Sequence, residues 1–228
     1  MTPDFGRVLT AMISPFTTDD ELDVEGAKTL AKWLVEQGNE GLVIAGTTGE
    51  SPTLTHEEQI NLIAAVVEAV DVPVIAGAGS NDTKTAVELT ERCTEVGASG
   101  ILTVTPYYNR PSQQGLLEHF SAIAKSTNLP VMLYDIPARS GRKIDTSTIL
   151  QLADEVENIV ALKDAAGDVA ETARLIAAAP EGFEVYSGED SLTLSLLSVG
   201  AVGTVSVASH WSTPETSEMI KSFFAGDF

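Results

Sequence analysis

Short apolar runs alternate eight times with longer segments of helical period, and this alternation restricts the fold more than any other feature of the chain. The strand-like runs lie at 8–16, 41–45, 72–76, 100–105, 130–136, 159–163, 183–187 and 203–208, with helical patterns between them, for example at 57–70, 83–96 and 114–126. Thr55 and Glu58 have the spacing of a capping box at one helix start. Gly38, Gly97, Gly182 and Gly200 fall where a helix should give way to the next strand. Continuous apolar strands separated by helices imply a parallel sheet covered on both faces. Eight such units in 228 residues favour an α/β fold of the closed (β/α)8 type, a TIM barrel, over an open doubly wound sheet. With no linker or low-complexity tract, residues 1–228 are expected to form a single barrel domain.

Acidic residues outnumber basic ones 33 to 13, and the resulting charge of −20 repels nucleic acid and anionic membrane surfaces, so neither is an expected partner. The first eight residues lack a basic region followed by an apolar core, and the apolar helical stretch around 62–70 is too short to span a bilayer. The single cysteine, Cys93, fits a reducing compartment and reads as a packing residue. These features point to a cytoplasmic protein. The segment 219–224 reads as an apolar helix and 225–228 as a turn leading onward, so the chain is expected to be truncated at its C-terminus.

Barrels of this type concentrate chemistry at the C-terminal ends of their strands. Lys163 stands near the end of the run Ile159-Val160-Ala161-Leu162-Lys163, which reads as buried on both faces. Burial favours the neutral amine, the form that attacks carbonyls to give a Schiff base; the bland alternative is a lysine snorkelling from a strand end. After the second strand, Gly46-Thr47-Thr48-Gly49-Glu50-Ser51 offers hydroxyls and backbone N–H groups suited to a small carboxylate, although a capped turn would read the same way. Tyr107 and Tyr108 lie in a loop stiffened by Pro106 and Pro111, and tyrosine pairs also serve as interface material. Tyr134 ends the fifth strand, where a phenol can shuttle protons; Arg139 follows, able to clamp a carboxylate or to form a surface salt bridge. His56, His119 and His210 are dispersed without ligand spacing, so no metal is expected. Gly77-Ala78-Gly79 lacks the third glycine of a dinucleotide fingerprint, and no nucleotide cofactor is expected.

Taken together and in order, Gly46–Ser51, the run from Thr103 to Pro111, Leu133-Tyr134-Asp135-Ile136-Pro137 and Leu162-Lys163-Asp164 resemble the dihydrodipicolinate synthase branch of the pyruvate-dependent lyases, which includes N-acetylneuraminate lyase. The resemblance runs through essentially the whole chain. It implies that Lys163 forms the Schiff base with pyruvate, that Tyr134 is the general acid/base, and that Thr47 and Tyr108 complete a proton relay. Tyr107 would support that relay across a tight dimer interface. It further implies that Thr48, Gly188 and the backbone at Val205 bind or line the pyruvate site. Arg139 would recognise the carboxylate of L-aspartate 4-semialdehyde. No cofactor is implied, and the implied assembly is a homotetramer built as a dimer of dimers.

Two departures accompany the resemblance. At the position of the family's lysine-feedback site Ser51, His56 and Asn81 are kept, but Gln59 and Thr85 stand where lysine-sensitive members carry histidine and glutamate, so weak or absent inhibition by lysine is expected. The chain also ends at Phe228, before the further helical region that members usually carry. The alternatives are another pyruvate-dependent aldolase, of the N-acetylneuraminate lyase or keto-deoxy-sugar-acid type, and a non-catalytic truncated barrel.

Overall fold

Parallel pairing runs strand to strand through β1 (Val8–Ala11), β2 (Gly41–Ile44), β3 (Val74–Gly77), β4 (Gly100–Val104), β5 (Val131–Asp135), β6 (Ile159–Asp164), β7 (Glu184–Ser187) and β8 (Gly203–Ser206), and β8 pairs back onto β1 to close the barrel. This computed structural model describes residues 5–227; the expectations for the N-terminus and for continuation past Phe228 rest partly on residues outside that range. The helices are α1 (Val24–Glu36), α2 (His56–Ala69), α3 (Thr83–Glu95), α4 (Gln113–Lys125), the short α5 (Pro137–Ser140), α6 (Thr146–Glu155), α7 (Val169–Ala178), α8 (Thr193–Ser198) and α9 (Ser209–Ala225). The alternation read from sequence is therefore the fold. Among the described residues no helix is long and apolar enough to cross a membrane.

Local signals act where they were expected. The Thr55 hydroxyl accepts from the Glu58 N–H while the Glu58 carboxylate accepts from the Thr55 N–H, and the reciprocal bonds start α2. Backbone pairing trims the strands. The first run was read as extending to residue 16, but the ladder ends with the Met12 N–H on the Val43 carbonyl; the Ile13 N–H turns to His210 Nε2, Pro15 has no N–H with which to resume pairing, and Phe16 bridges Leu22 outside the barrel. The third starts at Val74 rather than 72 because Pro73 offers only its carbonyl, taken by the Leu42 N–H at 3.0 Å.

Two packed layers result. Leu9, Val43, Ile75, Leu102, Met132, Tyr134, Ala161, Tyr186 and Val205 point into the barrel, with Phe5 closing over the N-terminal end, and a second apolar shell joins the strands' outer faces to the helices. One irregularity decides where the lysine points. Met132 pairs with Ala161 although Val131 pairs with Ile159, so Val160 is an extra residue, a β-bulge. Ile159 packs outward, Val160 and Ala161 both belong to the interior, and Leu162 packs outward again. Without the bulge, strict alternation from Ile159 would have sent Lys163 to the helices.

Candidate active site

At the C-terminal end of β6, Lys163 faces the barrel interior and is only 5% exposed. Burial depresses its pKa to about 8, against a partial opposing pull from the Asp190 carboxylate. Its neighbour in register on β5 is Tyr134, and the Lys163 Nζ lies 4.3 Å from the centre of the Tyr134 ring. Burial raises the Tyr134 pKa, while a hydrogen bond with the Thr47 hydroxyl and the charge of Arg139 work the other way. Amine, phenol and threonine hydroxyl are thus brought together from β6, β5 and the turn after β2.

That turn is built under constraint. Ala45, the first residue past β2, has a φ of 56°, a left-handed conformation that costs a non-glycine residue of order 1 kcal/mol or more. The Ala45 carbonyl comes so close to Gly77 that any Cβ there would collide with it, and a Cβ on Gly79 would meet the Val104 N–H. Gly77 and Gly79, weighed in the sequence only as a partial dinucleotide fingerprint, are therefore the close approach that shapes the pocket wall. The paired glycines directly after a strand were the signal available for this.

A cavity of about 240 Å³, lined by Thr47, Ser51, Val104, Tyr107, Ile136 and Arg139 among others, meets the cluster at Thr47, and a smaller space of about 30 Å³ lies between Thr47 and Tyr134. Arg139 stands on α5 immediately after β5 and lines the cavity; among the described residues it takes part in no salt bridge. Thr48 sits half-buried one residue beyond Thr47. Val205 is an interior residue of β8, beside Leu9 of β1. Gly188 follows β7, and a Cβ there would lie 3.0 Å from the Lys163 Cγ, which places its backbone against the lysine stem.

Tyr108 is not brought to this cluster within the chain. It is 90% exposed, with a φ of 73°, and its N–H donates to the Ser140 carbonyl at 3.2 Å. Tyr107 reaches the cavity rim, and its carbonyl accepts from the Asn81 amide at 3.1 Å. His56 is exposed at the start of α2. Gln59 turns inward and gives its amide to the carbonyls of Ser51 and Leu54, at 2.8 and 3.3 Å, and the Thr85 hydroxyl is held by Asp82 at 2.6 Å. His119 bonds the Thr83 hydroxyl between α3 and α4, and His210 bonds backbone near β8. Among the described residues no cluster of histidine, cysteine or carboxylate side chains converges as a metal site.

Asp190 had no role in the sequence reading. Its carboxylate accepts from the N–H groups of Val207 at 3.2 Å and Ala208 at 2.9 Å, fixing the turn after β8, and it is the charge that favours the ammonium form of Lys163.

Comparison with known proteins identifies the family. The chain is 51% identical to the 4-hydroxy-tetrahydrodipicolinate synthase of Moorella thermoacetica over 225 residues, covering 98% of this chain and 77% of that one. A crystal structure of dihydrodipicolinate synthase from Bacillus anthracis superposes with a TM-score of 0.97 at 50% identity, covering 99% of this chain and 78% of that one. The lysine-bound enzyme of Cyanidioschyzon merolae superposes at 0.95 with 48% identity, over 96% and 75% of the two chains. A family model described as the dihydrodipicolinate synthetase family matches residues 4–228, and with relatives this similar along nearly its whole length, the chain belongs to that family.

Proposed function

We propose that the chain acts as a 4-hydroxy-tetrahydrodipicolinate synthase, a lyase of the class I aldolase type that condenses pyruvate with L-aspartate 4-semialdehyde in the diaminopimelate route to lysine. The observation that carries the reading is the buried Lys163 amine, its pKa lowered to about 8, lying over the Tyr134 ring. Near neutral pH a useful fraction of that amine is unprotonated and nucleophilic.

The Lys163 Nζ adds to the keto carbon of pyruvate, and loss of water leaves an iminium joined to the chain. Tyr134, bonded to Thr47, gives the proton that lets the oxygen leave as water. The iminium draws electrons from the adjacent methyl, which loses a proton to become an enamine. The enamine carbon attacks the aldehyde carbon of the second substrate, and the resulting alkoxide takes up a proton. The amine of that substrate then displaces Lys163 by transimination, closing the heterocycle and freeing the lysine. Arg139, at the cavity mouth, supplies a bidentate cation for the carboxylate of the aldehyde. Thr48, Gly188 and the Val205 backbone hold pyruvate. The lysine itself provides the electron sink, so the scheme calls for no cofactor.

The exposed Tyr108 fits a relay completed across a dimer, beside Tyr107 of a second copy, within a homotetramer of single-domain chains working in the cytoplasm. Intact mass after incubation with pyruvate and borohydride tests the central step. One reduced pyruvyl group that disappears in Lys163→Arg supports it. No adduct on the folded wild-type chain overturns it.

A further inference from the structure

Behind the reacting pair, on the outer face of the same two strands, lies a second pair. Asp135 follows Tyr134, Asp164 follows Lys163, and the two aspartates are partners in register. Both are buried, 1% and 6% exposed. Like charges so placed repel unless something compensates them. The compensating cation is Lys143, from the segment between α5 and α6, whose Nζ lies 3.6 Å from Asp135 Oδ2 and 3.2 Å from Glu171 Oε2 of α7. Asp135 also accepts from the Ile144 N–H at 3.2 Å, and Asp164 accepts from the Ala166 N–H at 2.9 Å and the Thr172 hydroxyl at 2.5 Å. A void of about 10 Å³, room for a single water, is shared by Asp135, Lys143, Asp164, Asp168 and Glu171. From α4, Gln113 pins the segment by donating to the Lys143 carbonyl at 3.0 Å and accepting from the Asp145 N–H at 3.1 Å.

Resting on the reading of Lys163 and Tyr134 given above, we propose that Lys143 is a positioning residue for the reaction: paired with Asp135 and, through Glu171, tying β5 to α7, it supplies the charge that lets Asp135 stand beside Asp164 outside the barrel and thereby keeps Tyr134 and Lys163 facing each other inside it. The charged groups that meet there are Asp135 from β5, Asp164 from β6, Glu171 and the cavity-lining Asp168 from α7 and its N-cap, and Lys143 itself. Burial already pushes the Asp135 pKa up to about 6, with the Ile144 N–H and Lys143 opposing and Asp164 adding to it. Burial also works against the Lys143 ammonium, but Asp135, Glu171 and Asp164 together outweigh it and hold its pKa above the ordinary value.

The test compares kcat and pyruvate KM of Lys143→Met with the wild type across pH. With its cation gone, Asp135 keeps its proton to higher pH, and the two aspartates repel only once that proton leaves. The ratio of variant to wild-type kcat is expected to fall by about tenfold or more between roughly pH 6.5 and 9, with KM within about threefold. Adding Asp135→Asn removes that fall, and Lys143→Arg keeps the wild-type profile. A flat ratio, or a fall that Asp135→Asn leaves in place, overturns the proposal, because lost packing does not titrate. If Lys143→Met fails to fold, the Asp135→Asn/Lys143→Met double variant must fold and turn over, and its failure overturns the proposal. The borohydride adduct on the wild type is measured alongside. Its absence removes the reading of Lys163 and this proposal with it, whereas an adduct with a flat ratio removes this proposal alone.

Discussion

Lys163 and Tyr134 are partners in register on adjacent strands, and the amine of one sits 4.3 Å from the ring centre of the other. Parallel strands place consecutive inward residues at one height, so the reacting groups are set by backbone pairing rather than by flexible loops.

Burying that amine burdens the fold. Its pKa is about 8 in the folded chain against the ordinary 10.5, so the unfolded chain binds the proton more tightly. The penalty is fully present below the folded value and vanishes above the unfolded one. Lys163→Met is expected to abolish turnover and to stabilise the protein at pH 7 by on the order of 2–3 kcal/mol, a gain that shrinks as pH approaches about 10. Urea denaturation of both proteins at the two pH values checks it, and a variant less stable than the wild type at neutral pH would refute it.

Arg139 lines the cavity and, among the described residues, pairs with no carboxylate. Arg139→Ala should raise KM for the aldehyde substrate by roughly 10–100-fold while pyruvate KM stays close to the wild-type value, since the lost contact belongs to one substrate. Steady-state kinetics with each substrate varied in turn distinguishes this from a general loss of activity.

Gly188 is hemmed in by the Lys163 Cγ and Ala165 Cβ at 3.0 Å and the Asp164 carbonyl at 3.1 Å from where a Cβ would stand. Alanine there must push the lysine stem aside. Gly188→Ala is expected to slow adduct formation by about 10²-fold, the cost of misplacing a nucleophile by a fraction of an ångström, with little change in the unfolding midpoint. Stopped borohydride trapping gives the rate and thermal denaturation the control.

Gln59 and Thr85 spend their hydrogen bonds on Ser51, Leu54 and Asp82, within the chain's own backbone turns and caps. A ligand at Ser51, His56 and Asn81 would find neither an added imidazole nor an added carboxylate. Titration with lysine is expected to leave more than about half the activity at millimolar concentration; strong inhibition at micromolar lysine would contradict the assignment of these two side chains.

The eight strands were legible because each is a short apolar run set apart from the next by a longer segment of helical period, and the start of α2 because Thr55 and Glu58 can bond reciprocally. Strand ends were less so: Pro73 holds back the start of β3 through its missing N–H, and β1 ends where the Ile13 N–H turns to His210, neither of which apolar content registers. Lys163 and Tyr134 were visible as polar residues where apolar ones belong. The bulge at Val160 was not, because Ile159 through Leu162 are apolar on both faces and carry no alternation from which a slip could be read. Lys143 was equally silent, a lysine in a loop whose importance comes from two aspartates that the sheet sets side by side. Tyr108 was singled out, and the single chain leaves it in solvent.

Closure of the barrel by its two most distant strands also governs when the lysine becomes reactive. Val8, Leu9 and Thr10 pair with Thr204, Val205 and Ser206, so the wall that shuts out water is finished only when the eighth strand has been made and docks on the first. Until those residues emerge and dock, the Lys163 amine is wet and holds its proton tightly. A half-made polypeptide therefore carries the lysine as an inert surface cation, and carbonyl compounds in the surrounding medium meet a nucleophile only on molecules that have completed their fold.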